Sequence, residues 1–447
     1  MKLARSSFSP VTSLAMFAFM CGAVRGAPAP RQDVPDSLDL PTALRFALEN
    51  NFSIRQARER IRQQEGVQVE VKARSIPNVS ANGSYQLNDR DISQGFPASD
   101  RAWALSVTAT QALYAGGGVR SAIRSSALAR DAAVLELTGV VNDALLDVRT
   151  KFYDILLARE KIKVQESNVE LLKSQLKNVT DRFDAGTISS FEKLRAEVAL
   201  ANAQVPLITA RNAYRLAIEA LRQALGFLTN SQENVRKVPE FVGTLDYLPV
   251  SYELQTSLDS AHANRPELAR LAKLSDAREE SVTGAKSTRY PNLSAFAGWQ
   301  LRKGPTDRFG DSNDGFLIGL QSQWAIFDGR ATTGRVIQAR SFLEQARLVL
   351  QEQTLAIDVE VRRALSSLQE ASELAEASQK VVAQAEESLR LANARYGAGT
   401  ATQLDVLQSQ VDLTTARTNQ IQAYYNYSVA LARVRKAIGL ADAAVGN

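Results

Sequence analysis

Cysteine and histidine are almost missing from this chain of 447 residues, which holds one of each, Cys21 and His262. That scarcity excludes zinc fingers, cysteine nucleophiles and any metal site built on two histidines. A Ser-His-Asp triad needs a single histidine, but the chain has no G-x-S-x-G elbow. His262 lies in a helical stretch, Leu258 to Ala263, with nothing catalytic beside it. A long apolar run is lacking too: beyond residue 26 nothing approaches the ~18 apolar residues that a membrane-spanning helix requires. Any passage through a bilayer must therefore be made by strands. Charge of one sign is also scarce. There are 53 Lys and Arg against 48 Asp and Glu, and Lys2, Arg5 and Arg25 belong to a leader, so the remaining excess is two. No nucleic-acid partner is expected from such a balance. The Gly-rich stretch Ala115 to Gly118 lacks the Gly-Lys-Ser/Thr ending of a phosphate loop. It reads as a tight strand-to-helix junction, so neither a cofactor nor an enzymatic activity is expected.

What is present begins with an export signal. Lys2 and Arg5 form a basic start, Val11 to Val24 an apolar core, and Val24-Arg25-Gly26 a cleavage site, giving a signal peptide over residues 1–26. Bulky Phe19 and Met20 ahead of Cys21 argue against lipid attachment.

The remainder says itself twice. Arg182-Phe183-Asp184-Ala185-Gly186-Thr187 recurs as Arg395-Tyr396-Gly397-Ala398-Gly399-Thr400, and the same offset holds without a gap to Gly226 and Gly439, with 15 identities. Pro77 to Ala81 matches Pro291 to Ala295, and Ala112 to Gly116 matches Ala325 to Gly329. Shared blocks of different pattern in the same order indicate a tandem duplication: residues 27–227 form the first copy, 228–253 a connector, 254–440 the second copy and 441–447 a tail.

Each copy has one layout. A helix is predicted from Pro41 to Ala73, and again from Leu254 to Thr288, stopped by Pro77 and Pro291. A period of two follows. Val79, Ala81, Gly83, Tyr85 and Leu87 alternate with Asn78, Ser80, Asn82, Ser84 and Gln86; Leu293, Ala295, Ala297, Trp299 and Leu301 repeat the pattern. Return strands carry Trp103, Leu105, Val107 and Ala109 in one copy and Phe316, Ile318 and Leu320 in the other. Two hairpins result. Long helices come next, from Val119 to Phe183 and from Arg335 to Tyr396, each of order 90–100 Å. A seven-residue row through Leu343, Leu350, Ile357, Ala364 and Ala371 marks a coiled-coil seam. A second helix runs back from each Ala-Gly-Thr turn, and Pro206 is expected to kink the first of these.

Four strands with one polar and one apolar face cannot close alone, and an open sheet leaves its edges unpaired. In lipid the solution is a barrel built from several chains, with the apolar row outward. Val79, Tyr85, Leu105, Val107, Leu293, Trp299, Ile318 and Leu320 are the candidate lipid-facing residues, and Trp103, Trp299, Trp324 and Tyr85 an aromatic girdle. The alternative is an exported periplasmic coiled-coil protein of structural or adaptor type, which explains the helices but not the twice-repeated strand alternation.

The P-N-[VL]-S-A strand openers, [LI]-[YF]-x-G strand exits, R-[FY]-x-A-G-T turns and the Ala-Leu-Gly and Ala-Ile-Gly endings together resemble the TolC-like outer-membrane efflux proteins over nearly the whole mature length. The resemblance implies an α+β membrane protein and a homotrimer. It further implies a 12-stranded β-barrel, four strands from each of three chains, continued by a 12-helix coiled-coil periplasmic tunnel with a belt midway. It also implies a location in the outer membrane of a Gram-negative-type bacterium, in contact with outer-membrane lipid. The implied role is a passive exit duct of a tripartite efflux pump or type I secretion system, with a periplasmic adaptor (membrane fusion) protein and an inner-membrane pump or ABC transporter as partners.

Ala185, Gly186, Thr187, Ala398, Gly399 and Thr400 are expected at the far tips, where the resemblance implies adaptor docking. Glu192 and Asp405 both lie six residues beyond a turn glycine, about two helical turns from the tip, and form a candidate acidic entrance filter. Converging charge there is expected to raise carboxylate pKa values. Tyr396 is expected to hold the entrance shut through a hydrogen bond to Glu192. Ala401 and Gln408 stand where well-studied members carry a basic gating residue and a second acid, so this chain departs from an arginine-closed gate.

Overall fold

The computed structural model describes residues 35–87, 89, 101–227, 238–304 and 308–440. The expected signal peptide, the tail, most of the first hairpin loop and residues 228–237 of the connector lie outside that range.

Helix α1 (Leu40–Asn50) and helix α2 (Phe52–Ala73) precede strand β2 (Asn78–Leu87), strand β3 (Arg101–Ala115), helix α3 (Gly118–Asp184) and helix α4 (Ser190–Leu225). The second half repeats the order with α5 (Leu254–Asn264), α6 (Pro266–Ser287), β5 (Asn292–Lys303), β6 (Ser312–Gln323), α7 (Ala331–Gly397) and α8 (Gln403–Ala437). Two short strands, β1 (Ser37–Leu38) and β4 (Glu240–Phe241), pair in parallel.

Both long helices have 67 residues, about 100 Å each. The seam of α7 is buried at Ile357, Val361, Leu368, Ala371, Ala375, Val382, Leu389 and Ala392. Helix α4 continues through Pro206, so that proline interrupts the hydrogen-bond ladder without ending the helix.

The helix expected to open each half is two helices. Asn51, with extended backbone (ψ 128°), ends α1, and its side-chain oxygen accepts from the backbone N–H groups of Ser53 and Ile54 to start α2. Arg265 and Pro266 break the second at the equivalent place, because proline has no N–H to donate back into the preceding helix and its ring disfavours helical backbone at Arg265 (ψ 117°).

These breaks seat the ends of the return helices. Asn51 Nδ2 donates to the carbonyl of Ala224 at 2.7 Å. Arg265, 5% exposed, donates to the carbonyls of Lys436 and Ala437 and to the carboxylates of Glu267 and Glu360. Gly226 and Gly439 follow the return helices in left-handed conformation (φ 75° and 71°). A Cβ on Gly226 would lie 2.4 Å from the carbonyl oxygen of Asn50, and one on Gly439 2.8 Å from Cβ of Asn264. The glycines that close the Ala-Leu-Gly and Ala-Ile-Gly motifs therefore let two backbones touch.

The apolar core sits halfway along the long helices. One cluster joins Leu44, Phe152, Ile155, Leu221 and Phe241; another joins Ile357, Val361, Tyr427, Val434 and Ile438. The connector is pinned across this level. Arg159 donates to the carbonyls of Phe241 and Gly243, Tyr247 bonds Ser372 at 2.8 Å, and the Tyr427 hydroxyl accepts from Val250 N–H.

Strands β2, β3, β5 and β6 form one antiparallel sheet in that order. Val79 faces Ala109, Val107 faces Trp299, Ala297 faces Ile318 and Ala295 faces Leu320. Cross-strand partners share a face, so the register gathers the apolar rows of all four strands on one side. Ser80, Thr108, Ser106, Gln300 and Gln321 lie on the other side.

Candidate functional site

At the tips, each residue of the Ala-Gly-Thr triplets closes a turn. Ala185 and Ala398 donate back to Asp181 and Ala394. Gly186 and Gly399 are left-handed (φ 73° and 76°) and donate to the carbonyls of Phe183 and Tyr396. Thr187 and Thr400 donate through both backbone N–H and hydroxyl to the carbonyls of Arg182 and Arg395. This pair of nested bonds is the Schellman arrangement, and glycine suits it because the left-handed position penalises a Cβ. All six residues are exposed, and no heavy atom lies within 4 Å of where a Cβ on Gly186 or Gly399 would be.

The acidic pair lies nearer the tip than expected. Helices α4 and α8 begin at Ser190 and Gln403, capped by Ser189 and Thr402, so Glu192 and Asp405 are the third residues of their helices, in the first turn rather than two turns in. Asp405 has a specific local role. Its carboxylate accepts from the backbone N–H of Thr402 at 2.7 Å and from its hydroxyl at 2.8 Å, while the Thr402 hydroxyl accepts from Asp405 N–H. This is a capping box. The Thr402 backbone N–H, then its hydroxyl, hold the Asp405 carboxyl of the single chain below its ordinary value. Glu192 is half-buried, and its backbone N–H donates to the capping Ser189 hydroxyl at 3.4 Å.

Tyr396 is half-buried against Leu389, Ala392, Val406 and Leu413. Its ring carries the Arg182 guanidinium 5.2 Å from the centroid. The partner found for Tyr396 is thus Arg182 of the other hairpin and not the expected Glu192. Between the hairpins a cleft of about 510 Å³ is lined by Asn178, Asp181, Arg182, Asn393, Tyr396 and Gln403. Gln403 is 8% exposed, and neither of its amide atoms has a partner in the single chain. Arg182 and Gln403 were not singled out from sequence, since a cation–π pair between two hairpins leaves no local pattern. Thr402 was legible, because T-x-x-D ahead of an apolar row is a capping signature.

At the opposite end, the eight candidate lipid-facing residues share one face of the sheet. Val79, Tyr85, Leu105, Val107, Trp299, Ile318 and Leu320 are exposed and Leu293 is half-buried. Tyr85 faces Trp103 and Trp299 faces Phe316 near the hairpin loops, whereas Trp324 follows β6 at the helix end. Trp299 lies seven residues from Asn292, about 23 Å along the strand, which matches the ~25 Å apolar band of an outer-membrane barrel. No helix among the described residues is long and apolar enough to cross a membrane.

A family model described as outer membrane efflux protein matches residues 43–227 and again 257–440. The chain belongs to that family. It is 27% identical over 390 residues to the cobalt-zinc-cadmium resistance protein CzcC of Cupriavidus metallidurans, covering 85% of each chain. It is 23% identical over 312 residues to the outer membrane protein TolC of Escherichia coli, covering 66% of this chain and 61% of the other. In fold it is similar to the solved CmeC outer membrane channel of Campylobacter jejuni, with a TM-score of 0.77 at 16% identity over 93% of this chain and 90% of that one. As an outer membrane efflux protein the chain is an outer-membrane exit duct of the tripartite-pump or type I secretion type. The family is one of channels rather than enzymes.

Proposed function

We propose that three copies of this chain close a 12-stranded barrel, four strands from each, continued by twelve long helices as a periplasmic tunnel. The observation that carries this reading is the sheet register. It separates an apolar from a polar face across four strands, yet leaves the outer edges of β2 and β6 unpaired within the chain. Such a sheet is satisfied by closure with further copies, its apolar face in lipid and its polar face around water. The matching joints of Asn51 with Ala224 and Arg265 with Ala437 support descent of the two halves from one duplicated unit. The connector and β1 form the belt around the middle of the tunnel.

The exposed tips Ala185-Gly186-Thr187 and Ala398-Gly399-Thr400 are the docking points for a periplasmic adaptor, which couples the duct to an inner-membrane pump or ABC transporter. Their small side chains let another helical hairpin approach end to end. Glu192 and Asp405, at matching places in the first turns of α4 and α8, place six carboxylates at the trimer's entrance and make it cation-selective. Tyr396 holds the two hairpins of one chain together there.

Single-channel recording of the reconstituted trimer tests the entrance. Asp405→Ala should weaken block by trivalent cations added from the tunnel side, and unchanged selectivity and block would place the filter elsewhere. Gly399→Leu should abolish export with trimers intact; loss of both would leave the glycine only a folding role.

A further inference from the structure

We infer that the junction between sheet and helices is a binding collar for the phosphodiester headgroups of anionic phospholipids in the periplasm-facing leaflet. This rests on the barrel reading above and assigns that barrel a lipid preference.

The four segments joining helices to strands, residues 72–77, 116–120, 286–291 and 324–330, carry Lys72, Arg74, Arg120, Lys286, Arg289 and Arg330 against one acid, Asp328. The strand ends place all four segments at one end of the sheet, where Asn78 pairs with Thr110 and Asn292 with both Ala115 and Gln323. All six cations are exposed, and none has an ion-pair partner among the described residues. Asp328 is engaged locally, accepting from Thr332 N–H at 2.7 Å. The other end, counted with a similar margin over residues 87–101 and 302–312, is balanced, with five acidic and five basic residues by sequence. In a chain nearly neutral after its leader, positive charge is thus concentrated at one end of the apolar sheet.

Two further observations point to lipid. Ile326 and Phe327 are each 84% exposed, and the Trp324 indole N–H donates to the Arg289 carbonyl at 3.1 Å, fixing an aromatic side chain beside a cation. Apolar and aromatic anchors next to cations, just past an apolar span, are the arrangement of a headgroup interface. Arg330 is the second observation. At φ 72° it is the one non-glycine residue among those described with left-handed backbone, and its counterpart in the first half is Gly117 at φ 85°. It makes no side-chain cap to α7. An arginine stands where the backbone favours glycine, and a phosphodiester it can hold bidentately gives that strain a use.

The test is the temperature at which the purified, inserted oligomer dissociates on gels, in phosphatidylcholine vesicles with and without phosphatidylglycerol. Wild type should dissociate at a higher temperature with phosphatidylglycerol, and high salt should remove the shift. The triple variant Arg120→Gln, Arg289→Gln, Arg330→Gln should insert normally and lose most of the shift. Arg330→Gly alone should be more heat-stable than wild type in phosphatidylcholine, from relief of strain, yet gain less from phosphatidylglycerol. An equal phosphatidylglycerol shift in wild type and the triple variant, no shift in wild type, or the same shift from inorganic phosphate would overturn the collar while leaving the barrel standing. Failure of wild type to insert into either vesicle, judged by carbonate extraction, would instead overturn the barrel and the collar with it.

Discussion

The guanidinium of Arg182 lies 5.2 Å from the ring centroid of Tyr396, joining the tip of the α3/α4 hairpin to that of α7/α8. The contact is made by the ring and not the hydroxyl. Tyr396→Phe should therefore retain most of it, whereas Tyr396→Ala and Arg182→Ala should each lose about 0.5–1 kcal/mol of coupling and raise single-channel conductance. A rise in Tyr396→Phe as large as in Tyr396→Ala would mean that the hydroxyl, not the ring, restrains the tip.

The capping box of Asp405 should open in acid. Its folded-state pKa lies below the ordinary 3.8, so the capping box contributes stability above that value and loses it as pH falls through the folded-state value. Hydrogen exchange at Thr402 N–H should be slow near neutrality and, after correction for intrinsic rates, accelerate only below about pH 4. In Asp405→Ala it should be fast throughout. Protection unchanged by the substitution would contradict the box.

The glycines divide into two kinds. Gly226→Ala and Gly439→Ala put a Cβ against backbone or Cβ atoms and should destabilise by more than the ~1–2 kcal/mol of a left-handed residue alone. Gly186→Ala and Gly399→Ala meet open space and should stay within that range. Denaturant titration of the four variants compares them, and equal losses would show that the close approach at the joints is unimportant.

Buried Arg265 should be among the most sensitive single positions. Arg265→Ala leaves part-exposed Glu360 and the end of α8 without their donor and should cost about 1.5–3 kcal/mol. Lys would restore the charge but not the fork that reaches two carboxylates and two carbonyls. A loss under ~1 kcal/mol, read from the same titration, would indicate that water replaces the guanidinium.

Much of the fold was legible because its signals are long. The 67-residue helices follow from runs free of proline, and the two strand faces from alternation that the register later confirms at pairs such as Val107 with Trp299. The break at Asn51 has a local signal, an asparagine able to cap the helix that follows, but apolar helical spacing continues on either side and masks it, and its bond to Ala224 is tertiary. Counting from Gly399 puts Asp405 about two turns from the tip, but the helix starts only at the Thr402 cap, which leaves Asp405 in its first turn. The Arg182–Tyr396 contact depends on two hairpins meeting, which spacing within either one does not encode.

Substitutions on the two sheet faces should separate cleanly. Val107→Arg or Ile318→Arg should cost about 2–4 kcal/mol near the bilayer midplane and reduce insertion. Thr108→Arg, on the polar face beside Val107, should insert normally and alter ion selectivity instead. Normal insertion of all three would mean that the apolar face does not meet lipid.

Closure of the barrel between chains is tested most directly by disulfide trapping, since Cys21, in the expected leader, is the sole cysteine. Chains carrying Ser80→Cys or Asn82→Cys on β2 together with Gln321→Cys or Gln323→Cys on β6 should, in at least one combination, oxidise in membranes to covalent species that end at three chains. Only monomers in every combination, or a ladder running past three, would contradict a closed trimer.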